Sequence, residues 1–156
     1  MRILFVSDTH GDSAALYRAL LSQPQAEIVI HLGDGADDVD AVRQDFPQKM
    51  FLQVRGNCDF GSRLPASGEF TAEGRKIFYT HGHHYHVKWG DEPILSAARE
   101  RDADILLYGH THEPVSYYQD GLYILNPGSL KGSGGSFGFI DLTPQGIVTN
   151  VVYPPR

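Results

Sequence analysis

A chain of 156 residues with 41% hydrophobic and 21% charged residues has the composition of one globular domain, which excludes coiled coil, collagen and wholesale disorder. Its formal net charge of −6 argues against a general polyanion-binding surface, so long nucleic acid is a poor partner. The one cysteine, Cys58, permits no internal disulfide and suits a reducing compartment.

The first element is the apolar run Ile3 to Val6, which reads as a buried strand. It is too short for a signal-peptide core, and no later run approaches a membrane span, so a cytoplasmic protein without a membrane partner is expected. Ala15, Leu16, Ala19 and Leu20 recur at helical spacing behind Asp12 or Ser13 as cap, and Pro24 stops them. Ile28 to Leu32 is a second buried strand, ended by Gly33. Val39, Val42 and Phe46 mark a second helix with Asp37 and Asp38 in its first turn, where the helix dipole favours acids. Met50 to Val54 is a third strand. This βαβαβ order predicts parallel strands with right-handed crossovers.

The pattern then changes. Phe70 to Ala72 and Lys76 to Tyr79 flank the turn Glu73-Gly74. A helix follows near Pro93 to Arg101, and Ile105 to Tyr108 is another buried strand. Asp120-Gly121 and Thr143 to Gly146 each separate two strand-like runs, so the last part of the chain is predicted to be antiparallel. The Gly- and Ser-rich stretch Lys131 to Gly138 reads as a mobile loop. No repeat or linker interrupts the chain, and residues 1–156 are expected to form a single domain.

Polar residues fall in a regular place. Asp8-Thr9-His10 follows the first strand, Gly33-Asp34 the second and Gly56-Asn57 the third. His81-Gly82-His83 and Gly109-His110-Thr111-His112 follow two later strands. In open α/β sheets the crevice beyond the carboxyl ends of the strands is the binding site, so all five groups are expected to converge. Two carboxylates, an amide and at least four imidazoles exceed what one metal needs and suit a pair sharing a carboxylate. Carboxylate and imidazole without thiolate point to Mn, Fe, Co, Ni or Zn.

The ordered set D-x-H, G-D, G-N, H-G-H and G-H-x-H resembles the calcineurin-like metallophosphoesterase superfamily. Asp8-Thr9-His10, Gly56-Asn57-Cys58-Asp59, Thr80-His81-Gly82-His83 and Asn126-Pro127-Gly128-Ser129 are most similar to its small single-domain phosphodiesterases of the YfcE type. The resemblance covers nearly the whole chain. It implies an α/β fold of two mixed β-sheets packed face to face and flanked by helices. It implies that Asp8, His10 and His112 hold one metal, that Asn57, His81 and His110 hold the other, and that Asp34 bridges them. It further implies two divalent transition-metal ions per chain, Mn²⁺ foremost and Ni²⁺, Co²⁺, Zn²⁺ or Fe²⁺ as alternatives. Asp34, Asn57 and His110 would then act at the reaction centre with a metal-bridging hydroxide, hydrolysing a small phosphodiester substrate. The small retromer subunit is similar in fold but has a degraded ligand set, which leaves a non-catalytic, metal-stabilised protein-interaction module as the alternative. A homo-oligomer is compatible with either reading.

Two positions depart from the family pattern. Many members carry a histidine where this chain has Cys58. The Asn126-Pro127-Gly128-Ser129 segment continues to Leu130-Lys131 rather than toward a Pro-Arg pair. Among the other histidines, His31 reads as a satisfied core residue, whereas His83, His84 and His86 are read either as site residues or as solvated ones. Arg55 reads as a surface residue.

Overall fold

The computed structural model describes residues 1–153. Strands β1 (Arg2–Val6), β2 (Ala26–His31) and β3 (Met50–Gln53) alternate with helices α1 (Ser13–Ser22) and α2 (Ala36–Val42). A hairpin follows, β4 (Ser67–Ala72) and β5 (Arg75–Thr80), then α3 (Glu92–Glu100) and β6 (Ile105–Leu107). Two more hairpins finish the chain, β7 (Val115–Gln119) with β8 (Leu122–Asn126), and β9 (Phe137–Thr143) with β10 (Gly146–Val152). One sheet has the order β10-β9-β1-β2-β3 and the other β4-β5-β6-β8-β7.

Period-two alternation explains the layering. Ile3 and Phe5 of β1 face inward with Ile28 and Ile30 of β2, against Ile77, Tyr79, Ile105 and Leu107 of the second sheet. Leu4, Val6 and Val29 face the opposite way and bury Leu16, Leu20, Val39 and Val42 of α1 and α2. Phe78, Leu106 and Ile124 receive Ile94, Ala97 and Ala98 of α3 on the outer face of the second sheet. Strands buried on both faces have no polar side, which is why residues 3–6 of β1, 28–30 of β2 and 105–107 of β6 are continuous apolar runs. The fold is therefore α/β, two mixed five-stranded sheets face to face with helices outside.

Several sequence expectations change in detail. Asp12, not Ser13, caps α1, accepting the Ala15 N–H at 3.0 Å. The second helix ends at Val42 and a 3-10 turn, Arg43–Asp45, carries the chain on to Phe46. The end of the chain is not wholly antiparallel, because β8 pairs with β6 in parallel. The apolar β8 takes the inner slot and leaves the more exposed β7 at the edge. The Lys131–Gly138 stretch is a loop only as far as Ser136, since Phe137 and Gly138 already pair within β9. That loop is anchored as well, with the Gly132 N–H donating to Asp12 at 2.7 Å and Ser136 Oγ to the Pro127 carbonyl at 2.6 Å.

Candidate metal centre

β1, β2 and β3 run parallel, as do β5 and β6, so the polar segments that follow them emerge on the crevice between the sheets. Asp8, Asp34 and His81 are buried, His10 and His110 half-buried, and Asn57 and His112 exposed. Asp8 Oδ1 lies 3.1 Å from His112 Nε2 and 3.4 Å from His10 Nε2, and the two imidazole nitrogens are 3.3 Å apart. His81 Nε2 lies 3.0 Å from Asn57 Oδ1, 3.2 Å from His110 Nδ1 and 3.3 Å from Asp34 Oδ2. Asp34 Oδ2 is also 3.7 Å from His10 Nε2, so it faces both groups. All seven residues singled out from sequence thus meet in one place.

The spacing and the proton inventory fit divalent cations. Donors each about 2.1 Å from one ion lie about 3.0–3.4 Å apart at octahedral or tetrahedral angles. His81 Nδ1 donates to the Leu32 carbonyl at 2.7 Å, so neutral His81 turns the lone pair of Nε2 toward the site. That lone pair meets an amide oxygen, a carboxylate oxygen and another imidazole nitrogen, an arrangement that calls for positive charge at its centre. Burial opposes a charge on His81, but the Asp34 hydrogen bond and the Asp8 and Asp34 charges outweigh it and push its pKa up. Burial would likewise raise the Asp34 carboxyl, yet the His81 hydrogen bond and charge, with the Cys58 N–H, hold it well below the usual carboxylate range. His110 moves down, through burial first and then its neighbours His81 and Lys88.

The remaining oxygen of each carboxylate is fixed by the protein. Asp8 Oδ2 accepts the Ser7 hydroxyl and the His110 N–H, the latter at 3.0 Å. Asp34 Oδ1 accepts the Cys58 N–H at 2.7 Å. Such approaches need glycine nearby: a Cβ on Gly56 would sit 2.1 Å from Asp34 Oδ1, and one on Gly109 would sit 2.0 Å from Ser7 Oγ. Nine non-glycine residues with positive φ are found among the described residues, and five of them are Asp8, His10, Asp34, His110 and His112. Backbone strain of this kind costs about 1–2 kcal/mol per residue, and more than half of its instances fall at this site.

The supporting roles of several residues escaped the sequence reading. Asp59 accepts the N–H groups of Asp34, Gly35, Ala36 and Gly56 at 2.8–3.1 Å, tying the Asp34 and Asn57 turns together. Asn126 Nδ2 donates to the Gly109 carbonyl and Ser129 Oγ to the Asp8 carbonyl, so the Asn-Pro-Gly-Ser segment braces two of the ligand loops. Asp38 turns inward to accept the Thr9 hydroxyl and the Gly11 N–H. Carboxylates that each collect several donors, Asp38 buried and Asp59 half-buried, are legible only once the loops are brought together. His31 is buried and satisfied, its Nδ1 accepting the Gly33 N–H and its Nε2 donating to Thr9. His83 is half-buried with Nδ1 lacking a partner, and His84 and His86 are exposed. Arg55 Nη1 donates to the Leu64 carbonyl at 2.8 Å.

Asp59→Ala should therefore loosen both turns at once. Cation affinity is expected to fall about 10–100-fold, the usual cost of losing an outer partner, measured by calorimetric Mn²⁺ titration. Unchanged affinity would remove Asp59 from the support of the site.

A two-sheet α/β sandwich with a carboxylate–imidazole cluster at its strand ends defines a metal-binding class of protein. Residues 1–143 match the calcineurin-like phosphoesterase superfamily domain, and the chain belongs to that superfamily. It is 31% identical to the probable metallophosphoesterase YsnB of Bacillus subtilis over 132 residues, 84% of this chain and 76% of that one. It is 29% identical to phosphodiesterase YfcE of Escherichia coli K12, covering 99% of this chain and 100% of the relative. Vacuolar protein sorting-associated protein 29 of Schizosaccharomyces pombe is 42% identical over 80 residues, 51% of this chain and 43% of that protein. A predicted phosphoesterase from Streptococcus pneumoniae TIGR4 superposes with a TM-score of 0.75 at 25% identity, covering 97% of each chain.

Proposed function

We propose that the protein is a phosphodiesterase that uses two divalent metal ions, Mn²⁺ foremost, with residues 1–156 acting as one domain. The observation that carries this reading is the pair of donor groups, Asp8–His10–His112 and Asn57–His81–His110, with Asp34 Oδ2 facing both. Asp8, His10 and His112 would hold one ion, Asn57, His81 and His110 the other, and Asp34 would bridge. Bound ions of this kind supply Lewis acidity, ionised water at neutral pH and neutralisation of developing charge. In the net reaction a water oxygen joins phosphorus, the bond to one alkoxide breaks, and the alkoxide leaves with a proton.

The protein's own part is orientation. His81, fixed by Leu32, and Asp34, fixed by Cys58 and Asp59, keep their inward atoms in place. Asn57 is exposed and His110 half-buried, so both are accessible to an entering phosphate. Cys58 is exposed beside His10 and Asp34, and its thiol is pushed up, by burial first and then by the Asp34 charge. It is therefore neither a ready nucleophile nor an effective acid. The lone cysteine, and the fact that no described helix is long and apolar enough to cross a membrane, support a cytoplasmic location.

The similarity to vacuolar protein sorting-associated protein 29 favours one second reading, a non-catalytic interaction module. Hydrolysis of an aryl phosphodiester separates the two. With Mn²⁺ the chain should turn over the diester and lose that activity in chelator, while hydrolysing the matching monoester feebly. Cys58→His, which places a better donor beside the dianion, should raise the monoester-to-diester ratio of kcat/KM by about tenfold or more. No turnover by metal-loaded protein would leave the interaction module standing, and an unchanged ratio would remove Cys58 from substrate choice.

A further inference from the structure

A phosphodiester carries two alcohol substituents, and one side of the centre offers room for one of them. A recess of about 280 Å³ lies against His10, Asp34 and Cys58. A second recess of about 500 Å³ continues it, sharing Ala36, Asp37, Cys58 and Asp59 as walls and reaching out to Arg43, Gln53 and Phe60. Together they form one groove from the donor cluster along α2. A pocket of this size suits one drug-sized group rather than an oligomer.

The lining is chemically selective. Phe60 is 89% exposed, so its ring contributes little to the core and presents an apolar face to whatever enters. Asp37 and Asp40 offer acceptors, the Arg43 guanidinium offers donors, and Gln53 offers both. Asp59 is already occupied by four N–H groups. The free charges along the wall, two carboxylates and one guanidinium, disfavour a second phosphate. An uncharged group with a planar face and both kinds of hydrogen-bonding edge fits, and a nucleoside has that chemistry.

We infer that this groove is a subsite for one nucleoside substituent of the substrate, its base stacked on Phe60 and its polar edges meeting Asp37, Asp40, Arg43 and Gln53. The inference rests on the phosphodiesterase reading above and gives it a substrate class, small nucleoside phosphodiesters.

Three Mn²⁺-supported substrates with the same 4-nitrophenolate leaving group test it: the esters of thymidine 5′-monophosphate, methyl phosphate and phosphocholine. The nucleoside ester should exceed the methyl ester about tenfold in kcat/KM, mainly through KM, in line with stacking on one aromatic ring. Phe60→Ala should remove most of that preference, Asp40→Ala should lower it in part, and both should leave the methyl ester unchanged. Trp89→Ala, at a 90% exposed aromatic that lines neither recess, should keep the preference. A missing preference, one that survives both groove variants, or a preferred choline ester would overturn the subsite. If no ester is hydrolysed, the phosphodiesterase reading fails, and calorimetric binding of thymidine 5′-monophosphate decides the subsite separately. Binding weakened about tenfold by Phe60→Ala would support it, and no binding, or binding indifferent to that change, would overturn it.

Discussion

Asp34→Asn is expected to lower kcat/KM on an aryl phosphodiester by at least about a hundredfold, because losing even an outer partner of a metal ligand costs 10–100-fold. Asp34 Oδ2 faces both donor groups, 3.3 Å from His81 and 3.7 Å from His10, whereas Asp8 Oδ1 sits within its own group and reaches His81 only at 3.9 Å. The amide can keep the Cys58 N–H bond through Oδ1, so the fold should survive, but its other end brings N–H groups where an anion stood. Both cations should bind more weakly, whereas His112→Ala should weaken mainly one, since His112 Nε2 meets Asp8 and His10 of a single donor group. Calorimetric Mn²⁺ titration alongside kinetics separates these outcomes. A fully active Asp34→Asn protein with undiminished metal affinity would remove Asp34 from the centre.

Acidification should destabilise the metal-free protein through His31. Burial holds this imidazole down at about 4, against its ordinary 6.5. Between those values the unfolded chain binds a proton that the folded chain refuses, so stability falls as pH drops from 6.5 toward 4 and is present in full above that window. The difference amounts to about 3 kcal/mol at the acid end. His31→Gln should be less stable than the parent at pH 7.5, having lost bonds to Gly33 and Thr9, yet its stability should decline less steeply with acid. Urea unfolding of both proteins in chelator, at several pH values, measures the two slopes. Equal slopes would mean His31 titrates alike in the folded and unfolded chains.

The convergence of the seven candidate ligands was legible in the sequence for a physical reason. Strands buried on both faces leave apolar runs that are easy to see, and polar residues within a few positions of such a run lie near the strand's end. What holds the donors was not legible. Asp59 fastens turns 23–25 residues away in the chain, and Ser129 reaches Asp8 across 121 residues. Their roles follow from the meeting of loops, which no local pattern records. The same holds for the parallel pairing of β8 with β6, because Asp120-Gly121 specifies the hairpin but not which of its strands lies inside. The groove at Phe60 was invisible too, since an aromatic after a turn reads equally well as core.

The superfamily and the fold do not by themselves separate a hydrolase from an interaction module, and the central claim is a two-cation centre. Its most direct test is elemental analysis of the protein after saturation with Mn²⁺ and removal of excess metal. Close to two equivalents per chain are expected, falling to about one or fewer in His112→Ala. A stable maximum of one equivalent in the parent protein, with full diesterase activity, would contradict the claim.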